Sequence, residues 1–143
     1  MRYEFKLLQK KLPDLKMANI YLDSPMGGKT TEIYSEHETL LSRELKEMLA
    51  SGDDPFEPRG FSFVRTAEES RAINAMDDGI VLAGSGMCSG GRILHHLKHS
   101  LYKKDTHGFF VGYQAYGTLG RRTVPGPKTG RTAGAEIAVT APA

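Results

Sequence analysis

The residues best suited to chemistry lie in a glycine-dense stretch, Gly84-Ser-Gly-Met-Cys-Ser-Gly-Gly91. This stretch follows a short apolar run that is typical of a strand, and it precedes a helical pattern over residues 92–101. Adjacent glycines between a strand and a helix let backbone N–H groups approach an anion at the helix N-terminus. Because Ser85, Ser89 and Arg92 could add side-chain donors, the order predicts a phosphate-binding loop.

Two known phosphate-loop templates do not fit this stretch. The dinucleotide-binding fingerprint is G-x-G-x-x-G, whereas three residues separate Gly86 from Gly90. A Walker A loop requires Gly-Lys followed by Ser or Thr, whereas Gly91 is followed by Arg92 and Ile93. A second interpretation therefore stays open, in which the glycines only allow a tight connection between the strand and the helix.

Histidines and a cysteine are further candidates in the same region. His95 and His99 stand four apart on one helical face, a spacing suited to a shared metal, but no carboxylate lies near them in the sequence. Histidines on a helix face can instead form hydrogen bonds, pack or contact phosphate. Cys88 lies at a predicted helix start, which could lower its thiol pKa, yet no histidine stands at a recognised partner spacing. We predict neither a metal site nor a catalytic residue in this chain.

Asp23 and Ser24 follow a short β-rich run over residues 18–22. Open α/β folds place ligand-contacting groups outside the carboxyl ends of their strands, which makes both residues candidates for such a role. Asp23 could equally cap the next turn, and the two interpretations remain open.

Charge is distributed unevenly along the chain. Residues 1–91 carry 11 Lys and Arg against 15 Asp and Glu, whereas residues 92–143 have a net charge of +6. A basic half favours a polyanionic partner, because Lys and Arg neutralise phosphates whatever the base sequence. A solvated basic face would show the same composition.

Length and composition limit the class of protein to which the chain can belong. The chain has 143 residues, 39% of them hydrophobic and 25% charged, which suits a compact domain with a core of its own. A single cysteine excludes an internal disulfide and a multi-cysteine zinc site, and it favours a reducing compartment. The sequence shows no signal peptide and no run of the ~20 apolar residues that a membrane helix needs. We therefore expect a cytoplasmic protein with no membrane partner.

Predicted helices and strands alternate along the chain. The order favours an α/β fold with a largely parallel sheet flanked by helices. The predicted helices span residues 2–12, a segment after a cap at Thr30 or Thr31, Glu38 to Leu49, a segment from the capping box at Thr66–Glu69 to Ala75 or Met76, and residues 92–101. The predicted strands span residues 18–22, 61–64, 79–83 (covered on both faces), 106–113 and 135–140. Because a dozen irregular residues precede it, the last strand is expected at a sheet edge or with another domain.

Four segments together resemble a known family. They are YLDSPM at residues 21–26, FVRTAEESRAIN at 63–74, AGSGMCSGGRILHHLK at 83–98 and FVGYQAYGTLGRR at 110–122. In this order they are similar to the β-CASP domain of metallo-β-lactamase-fold nucleases. Within that family the chain most resembles the bacterial and archaeal RNA-processing hydrolases related to the cleavage and polyadenylation endonuclease.

The resemblance implies a Rossmann-like β-CASP layer over residues 1–122. Residues 123–143 would form a linker and a strand that returns to a metallo-β-lactamase domain absent from this chain. In the whole enzyme that domain holds two zinc ions, RNA lies in the cleft between the domains, and a zinc-activated water attacks a backbone phosphate. RNA and the lactamase domain are thus the implied partners, and a homodimer is a further candidate assembly.

The family's zinc ligands come from an H-x-H-x-D-H motif and from further His and Asp residues. No pair among the histidines of this chain has H-x-H spacing; they are His37, His95, His96, His99 and His107. In the family the β-CASP domain caps the lactamase domain, and we therefore expect the chain to be the inner part of this cap, truncated at both ends. No zinc is expected to bind it, and without activated water it should be inactive alone.

The resemblance also assigns roles to individual residues. RNA phosphate contacts are expected from Ser85, Gly86, Ser89, Gly90, Arg92, Arg121 and Arg122, and the cleft lining from Asp23, Ser24 and His95. One alternative is a free-standing α/β module that binds a nucleotide or another small phosphate without catalysis. Another is a structural cap or dimer surface that binds nothing itself.

Overall fold

The computed structural model describes most of the chain. Residues 1–14, 16 and 18–123 are described in full, and 129–132 and 135–138 as backbone elements. These residues form two compact units, Met1–Arg65 with Asp77–Leu82 and Thr66–Met76 with Ala83–Ala143. None of the helices in the described part is long and apolar enough to cross a lipid bilayer.

The first unit is built on a three-stranded parallel sheet flanked by helices, which confirms the predicted fold class. Its strands, in the spatial order β2-β1-β3, are β1 (Ile20–Asp23), β2 (Phe61–Phe63) and β3 (Ile80–Ala83). Its helices are α1 (Arg2–Lys11), α2 (Pro25–Glu36) and α3 (Arg43–Ala50).

The pairing of β1 with β2 sets the core of this unit. Ile20 lies opposite Phe61, and Leu22 lies opposite Phe63. Ile20 is fully buried, with Leu41 and Val64 also in the core. The β-branched and aromatic residues of both strands suit this half-buried, pleated surface. All four residues of β3 are half-buried, so the prediction of a strand covered on both faces was wrong.

Aromatic rings hold the first turn of α1. The Arg2 guanidinium carbon lies 5.8 Å from the ring centroid of Phe56, 5.0 Å from that of Phe61 and 5.6 Å from that of Phe63. At these distances the ring faces attract the cation. The start of α1 is therefore tied to β2 and to the loop before it.

Polar contacts hold the remainder of α1. Buried Gln9 donates from Nε2 to the carbonyl of Arg59 at 2.9 Å and accepts from the amide of the same residue at 2.7 Å. Lys6 and Lys10 form ion pairs with the two carboxylate oxygens of Asp53, at 2.6 and 2.5 Å. Hydrogen bonds from Lys10 and then Lys6 lower the pKa of Asp53 below its usual value.

The start of α2 differs from the predicted one. Ser24 is the N-cap, its Oγ accepts from the amide of Gly27 at 3.2 Å, and Pro25 occupies the first helical position. Thr30 and Thr31 lie inside the helix and donate to carbonyls four residues earlier. The predicted cap at Thr30 or Thr31 was wrong. Ser24 and Pro25 favour a helix start strongly enough that the helix begins before Gly27 and Gly28.

The predicted helix over Glu38–Leu49 is divided in two. A single 3-10 turn covers Glu38–Leu40, and α3 begins at Arg43 after Ser42, whose Oγ accepts from the amide of Leu45. Leu41 between them adopts an extended backbone conformation and is buried. The chain leaves the helical path here and places Leu41 in the core.

Among its described residues, the second unit contains three short helices and two paired strands. They are α4 (Ala67–Ile73), α5 (Ile93–Ser100) and α6 (Leu119–Thr123), with β4 (Thr129–Thr132) antiparallel to β5 (Ala135–Ala138). The capping box is confirmed, since Thr66 Oγ1 accepts from the Glu69 amide and Glu69 accepts from the Thr66 amide. The buried apolar residues described here are Ile73, Cys88, Leu101 and Leu119.

Two predicted strands in this unit have different outcomes. Residues 135–138 of the last strand pair with β4, while residues 139 and 140 lie outside the described residues. Residues 106–113 form no strand, and Phe109, Val111 and Tyr113 are 84, 73 and 80% exposed. Alternating apolar residues favour extended chain, but a strand also needs a neighbour for its backbone groups. No neighbouring strand pairs with this segment among the described residues.

We predict that Asp53→Asn makes the stability of the chain less dependent on pH. Because the folded state lowers the pKa of Asp53, the ionised carboxylate stabilises the fold above the ordinary pKa of an aspartate, and this contribution is lost as pH falls through the folded-state pKa. The variant should unfold at lower urea concentration than the wild type at about pH 7, and this difference should be smaller at about pH 3.

Glu47→Gln is the matched control, because Glu47 forms an exposed pair with Arg43 within one helix. Such pairs contribute little, so this variant should unfold like the wild type at both pH values. An Asp53→Asn deficit of equal size at both pH values would contradict the prediction.

Candidate functional site

Two backbone contacts close the glycine loop of residues 84–91. The amide of Ser85 donates to the carbonyl of Gly90 at 3.0 Å, and Gly91 packs against Gly84. Gly91 has a φ of +79°, and a Cβ there would lie 2.6 Å from the carbonyl oxygen of Gly84. Only glycine fits both the left-handed conformation and this approach of two backbone segments.

The first amides of α5 already have acceptors. The amide of Ile93 donates to the Gly84 carbonyl at 3.1 Å, that of Leu94 to Gly91 at 3.3 Å, and that of His95 to Arg92 at 3.0 Å. These three groups are therefore not free to bind an anion, and anion binding at the loop stays a prediction. Backbone amides without an acceptor among the described residues lie instead in the glycine loop.

Four loop amides have no hydrogen-bond acceptor among the described residues, those of Gly86, Met87, Gly90 and Gly91. They form two consecutive pairs, and successive backbone N–H groups can create concave anion sites where the chain turns. No atom lies within 4 Å of a Cβ built on Gly86 or on Gly90. The space beside the Cα atoms of both glycines is therefore open among the described residues.

The loop serines are exposed and close to these donors in the chain. Ser85 Oγ accepts from the amide of Ser89 at 3.1 Å. Accepting this bond uses a lone pair only, so the Ser85 hydroxyl can still donate its hydrogen to a ligand.

Of the three predicted cations, two are exposed. Arg121 and Arg122 lie on α6, which is tethered to the loop because the amide of Gly120 donates to the Met87 carbonyl at 3.0 Å. Arg92 is only partly exposed, and its Nη1 donates to the carbonyl of Thr66 at 2.8 Å. Arg92 therefore links the loop to the start of α4, a role that the sequence did not indicate.

The histidines of α5 do not form a ligand set. His96 is buried, and its Nδ1 donates to Oδ1 of Asn74 at 3.0 Å, since a carboxamide oxygen can only accept. His95 and His99 are exposed on the same helix. In the described part of the chain, no three side chains of His, Cys, Asp or Glu are grouped to hold a metal ion. These residues do not fit the zinc pair that the family resemblance implies.

Cys88 is a buried residue of the loop and adopts a φ of 55°. Burial raises the pKa of its thiol, which is opposite to the change that a nucleophile needs. The lowered pKa considered from its position near a helix start is therefore wrong.

Asp23 and Ser24 belong to the first unit. Asp23 is fully buried, and Ser24 rather than Asp23 caps the following helix. Their assignment as cleft-lining residues, like that of His95, stays a prediction.

The first unit also contains a cavity of about 630 Å³ that the sequence did not indicate. Its walls include Arg2, Lys29 and Arg65 together with Glu32, Glu36, Asp54 and Glu57. This mixture of signs favours neither an anionic nor a cationic ligand.

The sequence also missed Gln114. This residue lies in the fourth family-like segment, is 6% exposed, and donates from Nε2 to the carbonyl of Gly86 at 3.0 Å. Its partner lies 28 residues earlier, and no local pattern signals such a contact.

We predict that Gly91→Ala lowers the free energy of unfolding by about 1–3 kcal/mol, because a side chain is strained at this φ and would meet the carbonyl of Gly84. Gly90→Ala is the matched control, since no atom lies within 4 Å of its Cβ, and it should change stability by no more than about 0.5 kcal/mol. Urea denaturation measures both variants. Equal losses in the two would contradict the described loop closure.

Known proteins match the chain over most of its length. The Beta-Casp domain family matches residues 2–123. Ribonuclease TTHA0252 of Thermus thermophilus is 43% identical over 128 residues, which cover 89% of this chain and 30% of that protein. Transcription termination factor FttA of Methanocaldococcus jannaschii is 37% identical over 113 residues, 78% of this chain and 18% of that protein.

A second archaeal FttA, from Cenarchaeum symbiosum, is 36% identical over 105 residues, which cover 72% of this chain and 16% of that protein. The chain thus spans less than a third of the length of each of these relatives. The family match includes the whole glycine loop and the segment that carries Gln114, Arg121 and Arg122. The chain belongs to the Beta-Casp domain family.

Proposed function

We propose that this chain is the RNA-contacting cap of a zinc-dependent RNA-processing nuclease. Two findings support the proposal, the membership of the Beta-Casp family and a relative that is named a ribonuclease. The observation that carries it is the pair of consecutive amides on each side of the loop, at Gly86–Met87 and Gly90–Gly91, that lack an acceptor among the described residues.

The chemistry of the loop suits a phosphodiester backbone. Neutral N–H groups and the hydroxyls of Ser85 and Ser89 can donate to phosphate oxygens, while Arg121 and Arg122 neutralise charge on neighbouring phosphates. None of these donors reads a base edge by itself. The cap would therefore fix the position of the strand and contribute little to sequence preference.

The zinc ions of this proposal are held outside the chain, since its described residues offer no ligand set for them. The lactamase domain would supply the ligands, and residues 123–143 would lead back to it. This chain would then bind and orient the RNA, and the phosphodiester bond would be cleaved at the zinc ions outside this chain.

We predict that the chain binds single-stranded RNA with an affinity that falls steeply with salt. Arg121→Ala with Arg122→Ala should weaken binding and reduce the slope of log K against log salt by about 1.4, which is about 0.7 for each phosphate that is no longer neutralised. Fluorescence anisotropy of a labelled oligoribonucleotide at several salt concentrations measures both quantities.

Arg43→Ala is the control variant, because Arg43 is exposed and pairs with Glu47 in the first unit. It should leave the affinity and the slope unchanged. An unchanged slope in the double variant would contradict the assignment of Arg121 and Arg122. Saturable binding of a mononucleotide that salt barely weakens would instead favour a small-phosphate module.

We also predict that the purified chain does not cleave RNA when zinc is added, because its described residues offer no ligand set for the metal. Gel analysis of a labelled RNA after incubation with zinc tests this. Cleavage that follows the protein through purification and disappears with a chelator would contradict the prediction.

A further inference from the structure

The buried carboxamide of Gln114 forms a hydrogen bond with the glycine loop. Its Nε2 donates to the carbonyl of Gly86 at 3.0 Å and to that of Gly112 at 2.9 Å. A primary amide nitrogen carries two hydrogens, so both donors of this side chain are used. One of these two hydrogen bonds holds Gly86. The amide of the next residue, Met87, has no acceptor in the described part of the chain.

The next loop carbonyl is held from the same segment. The amide of Gly120 donates to the carbonyl of Met87 at 3.0 Å. A Cβ on Gly120 would lie 1.8 Å from Oε1 of Gln114 and 3.1 Å from the Met87 carbonyl oxygen. Glycine at position 120 therefore makes room for the carboxamide and for the second contact.

The geometry of the Gly86–Met87 peptide relates the Gln114 contact to the N–H group of Met87. The peptide between Gly86 and Met87 is trans, and in a trans peptide the C=O and N–H bonds point in opposite directions. Because the Gly86 carbonyl is directed at Gln114, the Met87 N–H points away from Gln114. That N–H has no acceptor among the described residues, and the Cβ position of Gly86 faces open space.

The other end of the carboxamide contributes no such bond. Oε1 of Gln114 is buried and has no hydrogen-bond partner among the described residues. A buried acceptor without a partner destabilises a fold, and an apolar side chain of the same size would avoid this one cost. The contribution that an apolar side chain cannot make is the pair of N–H donors.

We propose that Gln114 is a positioning residue, which orients the Gly86–Met87 peptide so that the N–H of Met87 donates to a phosphate oxygen of RNA. This inference rests on the proposed function and names one donor and the residue that directs it. Gln114 itself does not touch the RNA.

Gln114→Leu in the full chain tests the inference, because it keeps the volume and removes both donors. RNA affinity should fall about tenfold, the effect of losing one well-placed donor to a charged group. The salt slope should stay that of the wild type, because the cations remain. The amide signal of Met87 in a ¹H–¹⁵N NMR spectrum should move.

Gln9→Leu is the matched control. Gln9 is a buried glutamine of the other unit, and its carboxamide also bonds the backbone of a distant residue. This variant should lose stability and keep the RNA affinity of the wild type. A similar loss of affinity in both variants would show a general effect of destabilisation and overturn the inference.

Two other results would also overturn it. In one, Gln114→Leu binds RNA like the wild type. In the other, affinity falls together with the salt slope, which would mean that Gln114 acts through the arginines. If Gln114→Leu does not fold, Gly120→Ala replaces it, since the new Cβ displaces the carboxamide, and the same expectations apply.

If the wild-type chain does not bind RNA, the proposed function fails, and inorganic phosphate then tests the positioning role separately. Titration should shift the Met87 amide signal in the wild type and not in Gln114→Leu. Absence of a shift in the wild type would overturn the positioning role as well.

Discussion

The carbonyl of Gly84 is the point on which the loop depends. It accepts the first amide of α5, from Ile93, and it lies against Gly91 where a Cβ would not fit. One backbone group thus begins the helix and closes the loop. A loop closed in this way presents its remaining amides in a fixed arrangement, so an anion at the proposed site would require little ordering of the loop.

Buried polar side chains connect segments that are distant in sequence. Gln9 bonds the backbone of Arg59, His96 bonds Asn74, and Gln114 bonds Gly86. The described apolar core is small, with few fully buried large side chains. Directional hydrogen bonds between buried groups therefore specify much of the arrangement within each unit, because a displaced partner would leave a buried polar atom unsatisfied.

Features whose partners are close in sequence were predicted well. The capping box at Thr66 involves only the next three residues, and the strand-loop-helix order around the glycines follows from local composition. The start of α2 is also local, but its Ser-Pro signal competes with adjacent glycines. Features that depend on remote partners were missed, including the Arg92 bond to Thr66 and the Gln114 bond to Gly86. Residues 106–113 show the same limit, since alternation cannot specify the neighbour that a strand requires.

The single cysteine of the chain gives the loop an internal reporter. Cys88 is buried inside a loop whose ends are bonded to each other, so a thiol reagent can reach its sulfur only when this segment opens. The rate of labelling then follows the free energy of local opening and not the reactivity of an exposed thiol. This thiol thereby makes the dynamics of the loop measurable without an added probe.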